Sequence, residues 1–248
     1  MLVDVAPPCH HARLDGARGR GEYVRLALEE GGASYVDTAL LPEAQGGGVP
    51  ALTPFLQGAD IARPPFAPPF LRAGRQLIGQ TANILLFLGP RLGLAPRDAA
   101  GKLWTHQLQL TIADLVAEAH DAHHPLGPTL YYEDQKREAK RRTGEFLASR
   151  VPKYLGYFER VLERNPGRGP WLVGAAPTYA DLSMAHTLAG LEYAFPRTAA
   201  KALRAHPRLA RLREAVFARP RIRRYLASPR RIAFNNDGLF RRYPESGA

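Results

Sequence analysis

The amino-acid sequence predicts a small α/β domain followed by an all-helical domain. Three observations carry this reading. Phe70 to Leu88 reads as a short hairpin running into a helix. Gly89-Pro90, Gly93 and Pro96 then break the chain, and beyond them the apolar residues recur at helical spacing. The divisions implied are 1–92 and 97–248.

Within the hairpin, Phe70-Leu71 starts a strand, Ala73-Gly74 is a tight turn, and Leu77-Ile78 returns before Gly79. Gln80-Thr81 open the helix, and Ile84, Leu85 and Leu88 give it an apolar face that can lie on the sheet. The polar pair thus sits at a helix N-terminus, where unpaired N–H groups and the helix dipole favour a carboxylate. Upstream, Leu2 to Val5 makes a brief strand that Pro7-Pro8 stops. A helix with the stripe Tyr23, Val24, Ala27 and Leu28 ends at Gly31-Gly32, and Ser34 to Leu40 reads as a strand. Leu41 to Pro69 is rich in Gly and Pro and reads as loop, with one turn of helix near Leu52–Leu56.

Downstream, Leu108, Ile112, Leu115, Val116 and Ala119 define one face of a long helix, and Thr111, Asp114, Glu118 and Asp121 form a polar stripe beside it. A second long helix carries Leu147, Val151, Leu155, Phe158 and Leu162, with Pro152 predicting a bend. Thr178 caps a further helix, Asp181 reaches back to the cap N–H, and Leu182 follows as a buried anchor.

Composition narrows the function. A chain of 248 residues can bury two cores. Its single cysteine, Cys9, excludes an internal disulfide and cysteine-rich metal sites, which suits the cytosol. No apolar run reaches membrane-spanning length. The net charge of +11 is concentrated at the end, where residues 201–248 hold thirteen Lys/Arg against three Asp/Glu. These arginines alternate with Leu203, Leu209, Leu212, Val216, Ile222 and Leu226, the pattern of solvated or subunit-facing helix surfaces; no nucleic-acid motif accompanies them. His120, His123 and His124 have a spacing that can surround a metal, but the H-E-x-x-H signature is absent, and they read as lining or capping the end of the long helix.

The hairpin with Pro69, Leu71, Gly74, Gln80-Thr81-Ala82 and Ile84 resembles the glutathione transferase family, as does the run Arg18-Gly19-Arg20-Gly21-Glu22 with Arg25. The Trp171-Leu172-Val173-Gly174 run before the Thr178–Asp181 box strengthens the resemblance, which extends from residue 16 to 245 and is nearest the sigma-like members. It implies a thioredoxin-like N-terminal domain, an all-α C-terminal domain, a homodimer, and glutathione as co-substrate, conjugated to small electrophiles without a metal. It further implies that Pro69, Gln80 and Thr81 hold glutathione, with Gln57 and Arg63 as possible contacts from the covering segment. For Asp114 two readings stand: a carboxylate offered across the dimer to the γ-glutamyl amine, or an ordinary solvated helix residue.

The departures concern the thiol. Sigma-like members place a tyrosine hydroxyl against the sulfur, at a position that falls on Leu14 here, and residues 1–22 contain no Ser, Thr or Tyr. Arg13, Arg18 and Arg20 are the substitutes, as guanidinium donors near a helix start. Cys9 is a second, remoter one, able to form a mixed disulfide. The match becomes good only from Gly16, so a misassigned start and real loss of the hydroxyl both fit. Pro68, just before the proline expected to be cis, has no N–H to offer the cysteinyl backbone. These gaps keep a noncatalytic glutathione- or ligand-binding protein open beside the enzyme.

Overall fold

The computed structural model describes residues 19–127 and 129–243. Its first helix, α1 (Gly21–Gly31), is buried on almost every side. Gly32 ends it in the left-handed conformation, φ 66°, donating to Glu29 O at 3.1 Å while Ala33 N bonds Leu28 O at 3.0 Å. The strand expected at Ser34–Leu40 is not formed: 33–37 have no ladder partner among the described residues, and Thr38–Leu40 is a 3₁₀ turn. A strand is stable only as part of a ladder, and here Asp37 is held instead by Arg25.

The Gly/Pro-rich stretch contains more order than its composition suggests. α2 (Gly48–Gln57) is a full helix, and its Leu52 is buried with Phe70, with Phe55, Leu56 and Leu77 packed around them. β1 (Phe70–Ala73) and β2 (Gln76–Gly79) pair antiparallel, Phe70 opposite Gly79 and Ala73 opposite Gln76. α3 (Thr81–Arg91) follows directly, burying Ile84, Leu85 and Leu88; Leu88 and Ile84 meet Val24 and Leu28 of α1 and Leu71 of β1. Gly89-Pro90, expected in the linker, lie inside α3.

α4 (Ala99–Asp121) starts at Asp98, whose Oδ1 accepts from Gly101 N at 2.7 Å. The second long helical stretch has three parts: α5 (Lys136–Glu145), a π-helical turn Phe146–Arg150, and α6 (Val151–Arg164). Pro152, expected to bend the helix, stands just after this π turn. Pro152 has no N–H for Ala148 O, and Val151 N bonds Phe146 O, five residues back.

α7 (Tyr179–Ala194) is the axis of the helical part, buried on nearly all sides and packed against α1, α4, α8 (Pro196–Ala205) and α9 (Pro207–Ala218). Gly190 lets Phe240 lie on α7, since a Cβ there would stand 2.3 Å from the Phe240 ring. α10 (Pro220–Leu226) turns back to α1. Several C-terminal cations expected on solvated or subunit-facing surfaces are bound to α1 instead: Arg219 Nε meets Glu30 Oε1 at 2.6 Å, Arg221 donates to Glu30 O at 2.9 Å, and Arg230 pairs with Glu29. No helix among the described residues is long and apolar enough to cross a membrane.

Candidate functional site

The hairpin and α3 build a polar corner. The Pro68-Pro69 peptide is cis, and Pro69 is buried as the chain enters β1. Gly74, at φ 62°, makes the turn, and β2 carries the chain to Gln80. Among the described residues Gln80 is the non-glycine with positive φ, at φ 66° and ψ 120°. That conformation carries a penalty of about 1–3 kcal/mol and persists only where the surroundings enforce it. Its carbonyl accepts from Ile84 N at 2.9 Å, while its side chain points outward and makes no cap bond. The next residue, Thr81, has a buried hydroxyl oxygen with no hydrogen-bond partner among the described residues. The first N–H groups of α3 lack intrahelical acceptors by geometry, so donors and a positive dipole end converge beside that hydroxyl.

Behind this corner lies a largely buried charged network. Arg25 Nε donates to Asp37 Oδ2 at 2.5 Å, Arg25 Nη1 lies 3.4 Å from Glu22 Oε2, and Tyr225 Oη donates to the same Glu22 oxygen at 2.9 Å. Burial opposes the Arg25 charge, but Asp37 and Glu22 outweigh it and hold the guanidinium above its ordinary value. Burial in turn raises the Asp37 carboxyl, against the pull of Arg25. The network fixes the segment after α1 to α10, which makes the Glu22 and Arg25 of the R-G-R-x-E-x-x-R pattern structural ties.

The remaining candidates fall elsewhere. Arg20, half-buried, stands at the start of α1 and makes no side-chain cap bond; its charge contributes to lowering the pKa of His120 at the far end of α4. Arg13, Arg18 and Cys9 lie outside the described residues. Asp114 is on the exposed face of α4, and Gln57 and Arg63 are exposed. No group of three or more metal-capable side chains occurs among the described residues, so the three histidines do not assemble a metal site there. His123 is buried against the Phe195 ring, centroids 5.2 Å apart, and neither ring nitrogen has a partner among the described residues. Burial, with His124 and Arg241, pushes it down to about 3. His124 Nε2 lies 2.9 Å from Arg241 Nη1, and burial with Arg241 lowers it to about 4.

Sequence reasoning missed the strained Gln80 backbone and the Arg241–His124 contact. A polar residue just after a strand-ending glycine was the available signal for the first. Nothing in local sequence signals the second, whose partners lie 117 positions apart.

Comparison with known proteins accounts for this architecture. Residues 120–229 match the family described as "Glutathione S-transferase, C-terminal domain". The structure of NaGST-2 superposes with a TM-score of 0.69 over 94% of this chain and 98% of that one, at 17% identity. This chain has the glutathione transferase fold. The Pi-class glutathione S-transferase of Onchocerca volvulus gives a TM-score of 0.66 at 18% identity, covering 91% of each chain. In sequence, glutathione S-transferase P 1 of Xenopus laevis is 27% identical over 221 residues, 86% of this chain and 90% of that protein. The Plasmodium falciparum glutathione S-transferase is 23% identical over 217 residues, covering 86% and 92%. The transferase-like chain therefore pairs a thioredoxin-like first part with a helical second part, as its sequence predicts.

Proposed function

We propose that the chain binds glutathione at the start of α3 and conjugates its thiol to small electrophiles. The observation that carries this is the buried, partnerless Thr81 hydroxyl beside the strained Gln80 backbone. In this reading the Thr81 hydroxyl, the first N–H groups of α3 and the Gln80 side chain take the γ-glutamyl carboxylate, a charged acceptor matched to unpaired donors. Pro68 offers its carbonyl to the cysteinyl N–H but has no N–H to return, so the peptide is held there by one backbone bond where the family uses two. The sulfur then lies toward the start of α1, where Arg20 and the helix dipole favour the thiolate. Its lone pair attacks the electrophilic carbon, a C–S bond forms, and the leaving group departs with its electrons; the thiol proton passes to solvent.

A second reading, a noncatalytic glutathione binder, is favoured by one observation. Tyr23 is the first hydroxyl-bearing residue of the chain, and its oxygen is buried 3.0 Å from Thr187 Oγ1, within the core rather than at the sulfur. A chloronitrobenzene conjugation assay separates the two. Weak turnover that falls further in Arg20→Leu, with glutathione affinity retained, supports catalysis; glutathione binding without turnover supports the binder.

We place the chain in the cytosol as a homodimer of subunits divided at 1–92 and 97–248. Leu103 and Leu110, 72% and 48% exposed, share the outer face of α4 with Asp114, and Phe66 is 95% exposed. Apolar surface of this kind is characteristic of a subunit contact. Light scattering should give twice the chain mass, and Leu110→Lys should give the monomer.

A further inference from the structure

The far end of α4 carries a cluster that the α3 corner does not use. His120, His123 and His124 stand there, and the C-terminal segment returns to meet them through Arg241. His123 turns into the core against Phe195, with the Tyr243 ring edge-on at 5.4 Å. The other two rings stack on each other, centroids 5.3 Å apart and 19° from parallel. His124 is buried, whereas the His120 side chain is 22% exposed and forms the open face of the stack.

Arg241 has partners that do not suit a guanidinium. Nη1 donates to His124 Nε2 at 2.9 Å, Nε donates to Gly238 O at 2.9 Å, and the Tyr243 hydroxyl takes a further bond. All three acceptors are uncharged, and no acid is paired with Arg241 among the described residues, so its positive charge is left uncompensated. Accepting through Nε2 puts the His124 proton on Nδ1, which is buried without a partner among the described residues. The fold thus gives up a hydrogen bond to hold this guanidinium in place. The negative end of the α4 dipole favours a cation here, yet Arg241 bonds none of the last carbonyls of α4 among the described residues.

A second cation approaches the open ring from the side of α1. Burial, then Arg241 and, from the start of α1, Arg20 lower the His120 pKa against the pull of Asp121, whose Oδ1 lies 3.5 Å from His120 Nδ1. Asp121 is the acid paired with this cluster among the described residues, and it meets the imidazole rather than either arginine. Two guanidiniums without a counter-ion therefore flank a half-open imidazole, between the end of α4 and the start of α1. Such a place fits a carboxylate, which each cation can meet with charge-assisted bonds.

We propose that this cluster is the subsite for an anionic group on the electrophile, so that the chain conjugates glutathione to small electrophiles bearing a carboxylate. This rests on the reading that glutathione binds at α3 with its sulfur toward the start of α1. The carboxylate takes the remaining N–H groups of Arg241 beside the His120 ring, and Arg20 adds charge from the opposite side. The reactive carbon is then turned toward the sulfur. The thiolate forms the C–S bond, the leaving group departs with its electrons, and the carboxylate is unchanged.

The test uses the full chain and two conjugates that need no turnover, S-benzylglutathione and S-(4-carboxybenzyl)glutathione, titrated by calorimetry. The carboxylate should bind roughly tenfold more tightly than the neutral conjugate at low salt, and this preference should shrink as salt is raised. Arg241→Gln should remove the preference and leave the affinity for S-benzylglutathione unchanged. His120→Glu, made at the more open ring and so independent of how Arg241 packs, should reverse the preference. Equal binding of the two conjugates to the unmodified chain, or a preference that survives both variants, would overturn the subsite and leave the glutathione site standing. Binding of neither conjugate would overturn the glutathione reading and the subsite with it.

Discussion

Two helix starts in this molecule carry a threonine, and they treat it in opposite ways. At the start of α7, Thr178 N and Oγ1 both donate to Asp181 Oδ2 at 2.7 Å, while Leu172 N donates to Asp181 Oδ1 at 2.7 Å. The side-chain oxygens of Thr178 and Asp181 are thus all committed within the chain. At the start of α3, no side chain caps the helix, Gln80 sits at φ 66°, and the buried Thr81 hydroxyl has no partner among the described residues. The first arrangement is what folding alone would select, since a buried donor without an acceptor is destabilising. The second runs against that pressure, and this is the ground for proposing the ligand site at α3 rather than at α7.

The contrast can be broken most forcefully at its satisfied end. Asp181→Ala would orphan two backbone N–H groups and a hydroxyl in the core. It should destabilise the chain by about 3–5 kcal/mol and lower Tm by roughly 10 °C, measured by calorimetry. A shift under about 1 kcal/mol would mean that the box is dispensable.

A smaller effect separates buried polarity that serves a site from buried polarity that burdens the fold. His123 is held down to about 3 by burial, then His124 and Arg241, and His124 to about 4 by burial, then Arg241. An unfolded histidine titrates near ~6.5, so below that pH the unfolded chain takes up protons that the folded chain refuses. The ordering of proton uptake therefore makes stability full above about pH 6.5 and progressively lost toward pH 4. His123→Phe keeps the ring packing on Phe195 and removes one titrating group. It should recover about 2 kcal/mol at pH 5 and little at pH 8, read from urea midpoints at the two pH values.

The smallest effect is the most diagnostic for α3. Thr81→Val removes a hydroxyl that bonds nothing among the described residues while keeping its shape. Stability without ligand should rise by about 1 kcal/mol, because the variant relieves a buried donor that has no acceptor. A loss comparable to that of Asp181→Ala would show that the Thr81 hydroxyl serves the fold.

Much of this was legible because local chemistry and tertiary packing agree. Gly74, Gly79 and the Ile84–Leu88 face mark the hairpin and α3, and the Thr178–Asp181 spacing marks its box down to the accepting carboxylate. The Gly/Pro-rich composition of 41–69 hides the Leu52, Phe55, Leu56 stripe of α2; Pro50, in the first turn, sacrifices no intrahelical bond, and Pro54 sacrifices one that packing of the stripe offsets. The Ser34–Leu40 strand has no ladder partner among the described residues, and β-propensity alone says nothing of a partner. The C-terminal arginines read as solvated or subunit-facing because the acceptors of Arg219, Arg221 and Arg230, Glu29 and Glu30, lie about 190 to 200 positions away, beyond any periodic pattern. At the site, the residue types at Gln80 and Thr81 were readable; the left-handed backbone and the partnerless hydroxyl required coordinates.

The central claim is that α3 leaves its first turn unsatisfied in order to hold the carboxylate of glutathione. Calorimetric titration of glutathione into the unmodified chain and into Gln80→Ala with Thr81→Ala tests it most directly. The account predicts saturable binding to the unmodified chain and roughly tenfold weaker binding to the variant, with both chains equally folded. Equal affinity in the two chains would contradict it.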